Sequence, residues 1–269
     1  MRGETQRQSS DSTLTPTLSL KGEGVCISGI RRMTRHQKTP EIYLSMPHPC
    51  SYLPGRMASS LFIDPRHPLD SQAYAGFMQL GFRRSGDLIY RPHCHGCNAC
   101  IPVRVPVDLF RPNRGQRRVW QRNQDITVIP KPPGFDAEHF RLYQRYQALR
   151  HPGGGMDDPD PQKYNHFLVS KHIDTLFCEI RREDQLLGVA VVDVLPDGLS
   201  AVYTFFDPDE KQRALGVYAV LWEIEETKRR GLPWLYLGYL IRECPKMSYK
   251  ANYRPLEAYR DGHWALLKD

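Results

Sequence analysis

A chain of 269 residues, 40% hydrophobic and 25% charged, is long enough to bury one large core or two smaller ones. Its apolar runs fall short of the roughly 18 to 20 residues that span a bilayer, and three of its seven cysteines are too closely spaced for a disulfide framework. A transmembrane protein and a secreted disulfide scaffold are therefore not expected; a net charge of +7 and a reducing, cytoplasmic setting are, with a polyanion as partner.

Residues 1–38 hold seven Lys/Arg against three Asp/Glu and show no helical or strand periodicity, so a disordered tail is expected there, with the functional protein starting near Met33. From Pro40 the chain turns apolar, with Cys50-Ser51-Tyr52-Leu53-Pro54-Gly55-Arg56. Asp70 reads as the N-cap of a helix carrying Tyr74, Phe77, Met78 and Leu80, closed by Gly81. Leu88 to Tyr90 and Ile101 to Val107 read as strands, the second at a sheet edge because of its prolines. Between them lies His93-Cys94-His95-Gly96-Cys97-Asn98-Ala99-Cys100, three thiols at the two-residue gaps used by zinc and iron-sulfur sites. Cys50 is the natural fourth ligand, with His93 and His95 in reserve; zinc, a cluster and plain reduced thiols all stay open.

Positions 81–122 carry nine arginines against Asp87 and Asp108, so the basic charge surrounds the cysteines. Arg111, Arg114, Arg117, Arg118 and Arg122 form its densest run. The turn at 130–134 divides a domain at 39–133 from one at 134–269. Asp136 caps the next helix, and His151-Pro152-Gly153-Gly154-Gly155-Met156 is a loop. Leu186 to Leu195 and Leu199 to Phe206 form a hairpin. Asp207-Pro208-Asp209-Glu210 has the signature of a helix start, running to Gly231, and Trp234 to Tyr239 is a strand. Strand, strand, helix, strand is the order of the acetyltransferase-like core. Coenzyme A is disfavoured as acyl carrier, because Tyr218 fills the last small position of Arg213-Ala214-Leu215-Gly216-Val217-Tyr218.

Tyr203-Thr204-Phe205-Phe206-Asp207-Pro208, Arg213-Ala214-Leu215-Gly216, Tyr236-Leu237-Gly238-Tyr239-Leu240-Ile241 and Cys244-Pro245-Lys246-Met247-Ser248-Tyr249-Lys250 resemble the arginyl/leucyl-tRNA-protein transferase family. Cys50-Ser51-Tyr52-Leu53, Tyr90-Arg91-Pro92, the cysteine cluster and Gln116-Arg117-Arg118 are similar to its N-terminal region, and the short chain is most similar to the bacterial aspartate/glutamate leucyltransferases.

The resemblance implies an α+β fold of two acetyltransferase-like domains, with mixed sheets flanked by helices. It also implies transfer of leucine from leucyl-tRNA to proteins beginning with Asp or Glu, marking them for the N-degron route. No cofactor is needed for that chemistry, although eukaryotic relatives imply an iron-sulfur cluster as an alternative to zinc at Cys50, Cys94, Cys97 and Cys100. Tyr203, Tyr236 and Tyr239 are expected at the reacting centre. Arg56, Arg104 and Arg213 are expected at the acidic terminus, since a guanidinium pairs a carboxylate bidentately. Arg117, Arg118, Lys246, Tyr249 and Lys250 are expected on the tRNA. The alternatives are arginyl transfer, a coenzyme A-dependent acetyltransferase, and a non-enzymatic metal-dependent RNA-binding module.

Overall fold

The computed structural model describes residues 40–67, 69–150 and 160–268, and the backbone of two short strands ahead of them. Those strands, β1 (Leu18–Lys21) and β2 (Gly24–Ile27), pair antiparallel. The rest of the expected tail, the start near Met33 and the 151–156 loop lie outside the described residues.

A first sheet is built from β3 (Ile42–Leu44), β6 (Ser60–Ile63), β7 (Arg83–Ser85) and β8 (Leu88–Pro92), in the order β1-β2-β3-β6-β8-β7; a small hairpin of β4 (His48–Pro49) and β5 (Met57–Ala58) stands beside it. Helix α1 (Ser71–Gln79) starts as its sequence dictates, with the Asp70 carboxylate accepting from Ala73 N at 2.8 Å. Its apolar face puts Tyr74, Phe77 and Met78 against Ile42, Ile63 and Ile89, each buried side chain contributing about 1.5 to 3 kcal/mol.

The second sheet has eight strands. Along the chain come β9 (Ile101–Pro106), helix α2 (Arg114–Arg122), β10 (Thr127–Lys131), helices α3 (Ala137–Arg150) and α4 (Pro161–Leu168), then β11 (Thr175–Arg182), β12 (Gln185–Leu195) and β13 (Gly198–Phe206). Helix α5 (Leu215–Arg229), β14 (Trp234–Leu240), the short α6 (Pro245–Ser248), β15 (Glu257–Arg260) and β16 (His263–Leu266) complete it. The strand order is β10-β11-β12-β13-β14-β9-β15-β16. Two of these strands, β9 and β10, come from before residue 133, so the boundary expected at 133/134 does not separate the sheets. The fold is α+β, with helices packed on an antiparallel first sheet and on a second sheet made mixed by the parallel β13/β14 pairing.

Two local expectations are corrected. β9 is internal, not an edge: it pairs with β14 on one side, and on the other with β15 only through Arg104 and Val103. Its prolines at 102 and 106 flank that short ladder, so their missing N–H groups leave it intact. Helix α5 starts at Leu215, not at 207–210. The intervening chain forms a single tight turn at Lys211–Arg213 and a left-handed residue, Ala214, at φ 51. Asp207 instead binds Arg145 at 3.1 Å, and its carboxylate accepts from Asp209 N.

Candidate active site

β13 and β14 run parallel but pair only where Gly198, Leu199 and Ser200 face Trp234, Leu235 and Tyr236. A Cβ on Gly198 would lie 2.3 Å from the Trp234 carbonyl, so this close pairing requires glycine. Beyond it the strands part, which frees backbone groups that side chains then satisfy. Arg83 of β7 donates from Nη2 to the Ala201 carbonyl at 2.5 Å. Its guanidinium lies against Gly238, where the backbone has φ +83 and a Cβ would stand 3.4 Å from Arg83 Nε. Lys250 donates from Nζ to the Tyr239 carbonyl at 2.8 Å.

These groups are buried and electrically unusual. Burial pushes the Lys250 amine down to about 7, with repulsion from Arg83 adding to it. Glu223 of α5 is fully buried, neither carboxylate oxygen has a hydrogen-bond partner among the described residues, and burial pushes its acid up to about 8 against the pull of Arg83. Arg83 Nη1 is likewise unpartnered. A near-neutral amine, a protonated carboxyl and a guanidinium are groups that accept a proton, donate one and stabilise an oxyanion. Of the three, Arg83 sat in the sequence as one more arginine of a basic run, and Glu223 as a helix position with no motif around it.

The three tyrosines expected together are in three separate settings. Tyr203 takes a hydrogen bond from buried Gln147 Nε2 at 3.1 Å and packs with Tyr143, Tyr146 and Phe167. Tyr236 donates to Asp197 Oδ2 at 2.9 Å and accepts from Gln79 at 2.7 Å. Tyr239 donates to the Gly81 carbonyl at 3.0 Å. Both β14 hydroxyls are therefore engaged in holding the two sheets together.

The three arginines expected at the acidic terminus also separate. Arg104 is buried, pairs with Glu257 at 2.6 Å and lies between the rings of Trp234 and Trp264. Arg213 pairs with Asp125 at 2.7 Å and with Glu210 at 3.2 Å. Arg56 is exposed, with Nη1 3.4 Å from Cys97 Sγ.

On the expected tRNA surface, Arg117 and Arg118 stand exposed on α2 with Arg114 and Arg122, and Arg111 is exposed just ahead of the helix. Arg111, Arg117 and Arg122 hydrogen-bond backbone carbonyls, leaving their charge unneutralised by these contacts. Lys246 and Tyr249 are exposed, whereas Lys250 is buried beneath them and is not on that surface. Arg83, Arg84 and Arg104 are buried as well, so the basic face is narrower than the sequence run.

Residues 48–118 match the family model described as arginine-tRNA-protein transferase, N terminus, and residues 138–260 match the corresponding C terminus. The chain belongs to the arginine-tRNA-protein transferase family. It is 53% identical over 230 residues to a protein of Nitrosococcus oceani named aspartate/glutamate leucyltransferase, covering 85% of this chain and 97% of the relative. Proteins of the same name from Pseudomonas aeruginosa (52%, covering 84% and 97%) and Hahella chejuensis (49%, covering 86% and 98%) are similar over the same span. A solved structure described as L-PGS from Bacillus licheniformis is 15% identical, with a TM-score of 0.41 over 69% of this chain and 64% of that one. Among the described residues, no helix of the transferase is long and apolar enough to cross a membrane.

The transferase's cysteines gather without forming a ligand set. Cys94 Sγ donates to the Ser59 carbonyl at 3.6 Å, and Cys97 Sγ accepts from Arg56. Cys50 and Cys100 pack with Leu53, Ile241, Cys244 and Met247, and burial pushes the Cys100 thiol up to about 12. Cys97, by contrast, has its thiol lowered by the Ala99 N–H and by Arg56. Among the described residues no group of three or more His, Cys, Asp or Glu is arranged to hold a metal ion. As arranged, the donors do not fit the zinc ion or cluster that their spacing suggests. Cys100→Ser places a hydroxyl in the apolar cluster and is expected to cost about 1 to 3 kcal/mol in urea unfolding. Cys97→Ser, at the rim, should stay within about 0.5 kcal/mol. Equal losses at the two positions would mean that the thiols act as one unit.

Proposed function

We propose that this transferase moves leucine from leucyl-tRNA to the N-terminal α-amino group of proteins beginning with Asp or Glu. The observation that carries this reading is identity of about half, along 97% of their length, to proteins named aspartate/glutamate leucyltransferase. A leucine added in this way marks its bearer for N-degron degradation in the cytoplasm. The run β12-β13-α5-β14, with its parted parallel strands, supports an acetyltransferase-like C-terminal unit, and the first sheet with α1 forms the second unit.

The chemistry is aminolysis of an activated ester. The neutral α-amine attacks the leucyl carbonyl, the carbonyl oxygen gains negative charge, the C–O bond to the tRNA 3′ end breaks, and the amine's extra proton leaves. Alignment of amine and carbonyl supplies most of the acceleration, so no enzyme nucleophile is required. The parted strands are where we place the ester. Arg83 is suited to the oxyanion, and Lys250, with its amine near neutrality, to the departing proton. Tyr203, with Gln147 behind it, belongs to β13, one wall of that opening; Tyr236 and Tyr239 hold β14, the other wall.

Purified protein, radiolabelled leucyl- or arginyl-tRNA and peptides beginning Asp, Glu, Arg or Lys test the reading. Label from leucyl-tRNA is expected on the Asp and Glu peptides alone. Transfer from arginyl-tRNA instead, or to the basic peptides, would overturn it. The acceptor arm of the tRNA is assigned to the α2 face, with Lys246 and Tyr249 nearer the 3′ end. Replacing both Arg117 and Arg118 by Ala should weaken tRNA binding and lower its log–log salt slope by about one per arginine. An unchanged slope would remove the pair from that surface.

A further inference from the structure

The reaction requires a reader for the acceptor's acidic side chain, and the structure separates the cations that could serve. Arg104 and Arg213 each already hold a carboxylate of this chain, at 2.6 and 2.7 Å, so neither is available to a second one. Arg56 holds none. It lines an open concavity of about 330 Å³, together with Arg242, Glu243, Cys97, Asn98 and Ile101. Arg242 is exposed and has no ion-pair or hydrogen-bond partner among the described residues. Arg56 donates to the Cys97 sulfur and is attracted by the Glu243 carboxylate of the same concavity, without forming an ion pair with it among the described residues.

The position of the concavity matters as much as its charge. β13 and β14 pair at their beginnings and part toward their ends, and Arg242 and Glu243 follow β14 after the one residue Ile241. Ile101, at the start of β9, faces Leu240 in the ladder and forms the neighbouring wall. The concavity therefore opens at the C-terminal end of β14, the end at which β14 no longer pairs with β13, so an acceptor seated there stands beside the strand that walls the proposed ester site.

We infer that Arg56 and Arg242 form the specificity subsite that binds the side-chain carboxylate of the acceptor's N-terminal Asp or Glu, with Glu243 facing its α-ammonium before attack. An N-terminal acidic residue carries a negative and a positive group a few bonds apart, and the concavity presents two guanidiniums and one carboxylate over a similarly short span. Arginine's forked donors pair a carboxylate at more than one side-chain length, which accommodates both Asp and Glu. A neutral Asn or Gln has the same shape and lacks the charge, so discrimination against it measures this subsite directly.

The inference rests on leucyl transfer to acidic termini, and the test keeps the two apart by reading binding without tRNA. Fluorescence anisotropy of a labelled peptide beginning Asp, and of its Asn counterpart, is measured with the full chain and with Arg56→Ala/Arg242→Ala; the same peptides then serve as acceptors with leucyl-tRNA. In the unsubstituted protein, Asp is expected to bind at least about tenfold tighter than Asn. In the double variant that preference should vanish, KM for the Asp peptide should rise about 10- to 100-fold and kcat should change far less, while the thermal midpoint stays put because both side chains are exposed. Arg56→Lys/Arg242→Lys should restore part of the preference. Asp-over-Asn discrimination that survives in the double variant would overturn the subsite even if leucyl transfer holds. Absence of leucyl transfer, with Asp-selective binding lost in the variant, would overturn the reaction and leave the subsite standing.

Discussion

Asp193→Ala is expected to destabilise the protein by about 3 to 5 kcal/mol, enough to unfold a large part of the population at 37 °C. Arg84 and Asp193 both have fully buried side chains and meet bidentately, Nη2 to Oδ1 at 2.6 Å and Nε to Oδ2 at 2.7 Å. The guanidinium also donates to Thr175 Oγ1 at 3.1 Å and to the Leu168 carbonyl at 3.2 Å, and Thr175 donates to Asp193 at 2.9 Å. One side chain of the first sheet thereby fastens to β11 and β12 of the second and to the end of α4. The desolvation of two charges offsets much of their attraction, so the intact pair adds little net stability; removing one partner strands the other in the core. Arg84→Met/Asp193→Leu should accordingly recover most of the loss. Urea unfolding of the single and double variants decides it: a double variant as unstable as the single one would mean that packing, not the uncompensated charge, sets the cost.

That pair shows where sequence reasoning succeeds and stops. Helix α1 and the β12–β13 hairpin were legible because their signals are local: Asp70 and Gly81 bracket an apolar stripe, and Pro196-Asp197-Gly198 sits between two apolar runs. In the sequence Arg84 is one of nine arginines at 81–122 and nothing marks it as buried, because its partner lies 109 positions away and no local pattern links the two. The prolines of β9 gave the correct local rule and the wrong place in the sheet, since strand order is set by pairing with β14 and β15, far along the chain. The spacing of Cys94, Cys97 and Cys100 was visible, but ligand geometry depends on the side-chain directions imposed by Ser59, Arg56 and the cluster around Leu53. At the candidate site, motif positions located β13, β14 and Lys250. The groups those strands enclose, Arg83 from another sheet and Glu223 from the helix beneath, are brought in by tertiary structure alone.

Glu223→Gln should raise stability at neutral and alkaline pH and leave it nearly unchanged in acid. The folded chain holds the Glu223 proton up to about pH 8, whereas the unfolded chain releases it near the ordinary 4.5. Between those values the native state binds more protons than the unfolded one, so stability falls as pH rises through the window. Below pH 4.5 both states are protonated and the penalty disappears. At 1.36 kcal/mol for each unit of difference, the loss attributable to Glu223 between pH 5 and 8 is about 3 kcal/mol. Neighbours sharing its field stay neutral over that range: burial pushes the Cys178 thiol up to about 12, and the Tyr249 and Tyr253 hydroxyls are raised above their usual value. Lys250 acts in the opposite sense, because its lowered amine makes the native state gain stability as pH rises from 7 toward 10.5. The unsubstituted protein alone therefore mixes two slopes, and the difference between it and Glu223→Gln isolates one. Urea unfolding at half-unit steps from pH 5 to 8 should give curves that coincide at the acid end and diverge steadily, with the glutamine variant the more stable. Parallel curves across that range would mean that Glu223 ionises normally in the folded chain and is not a buried, uncharged acid of α5.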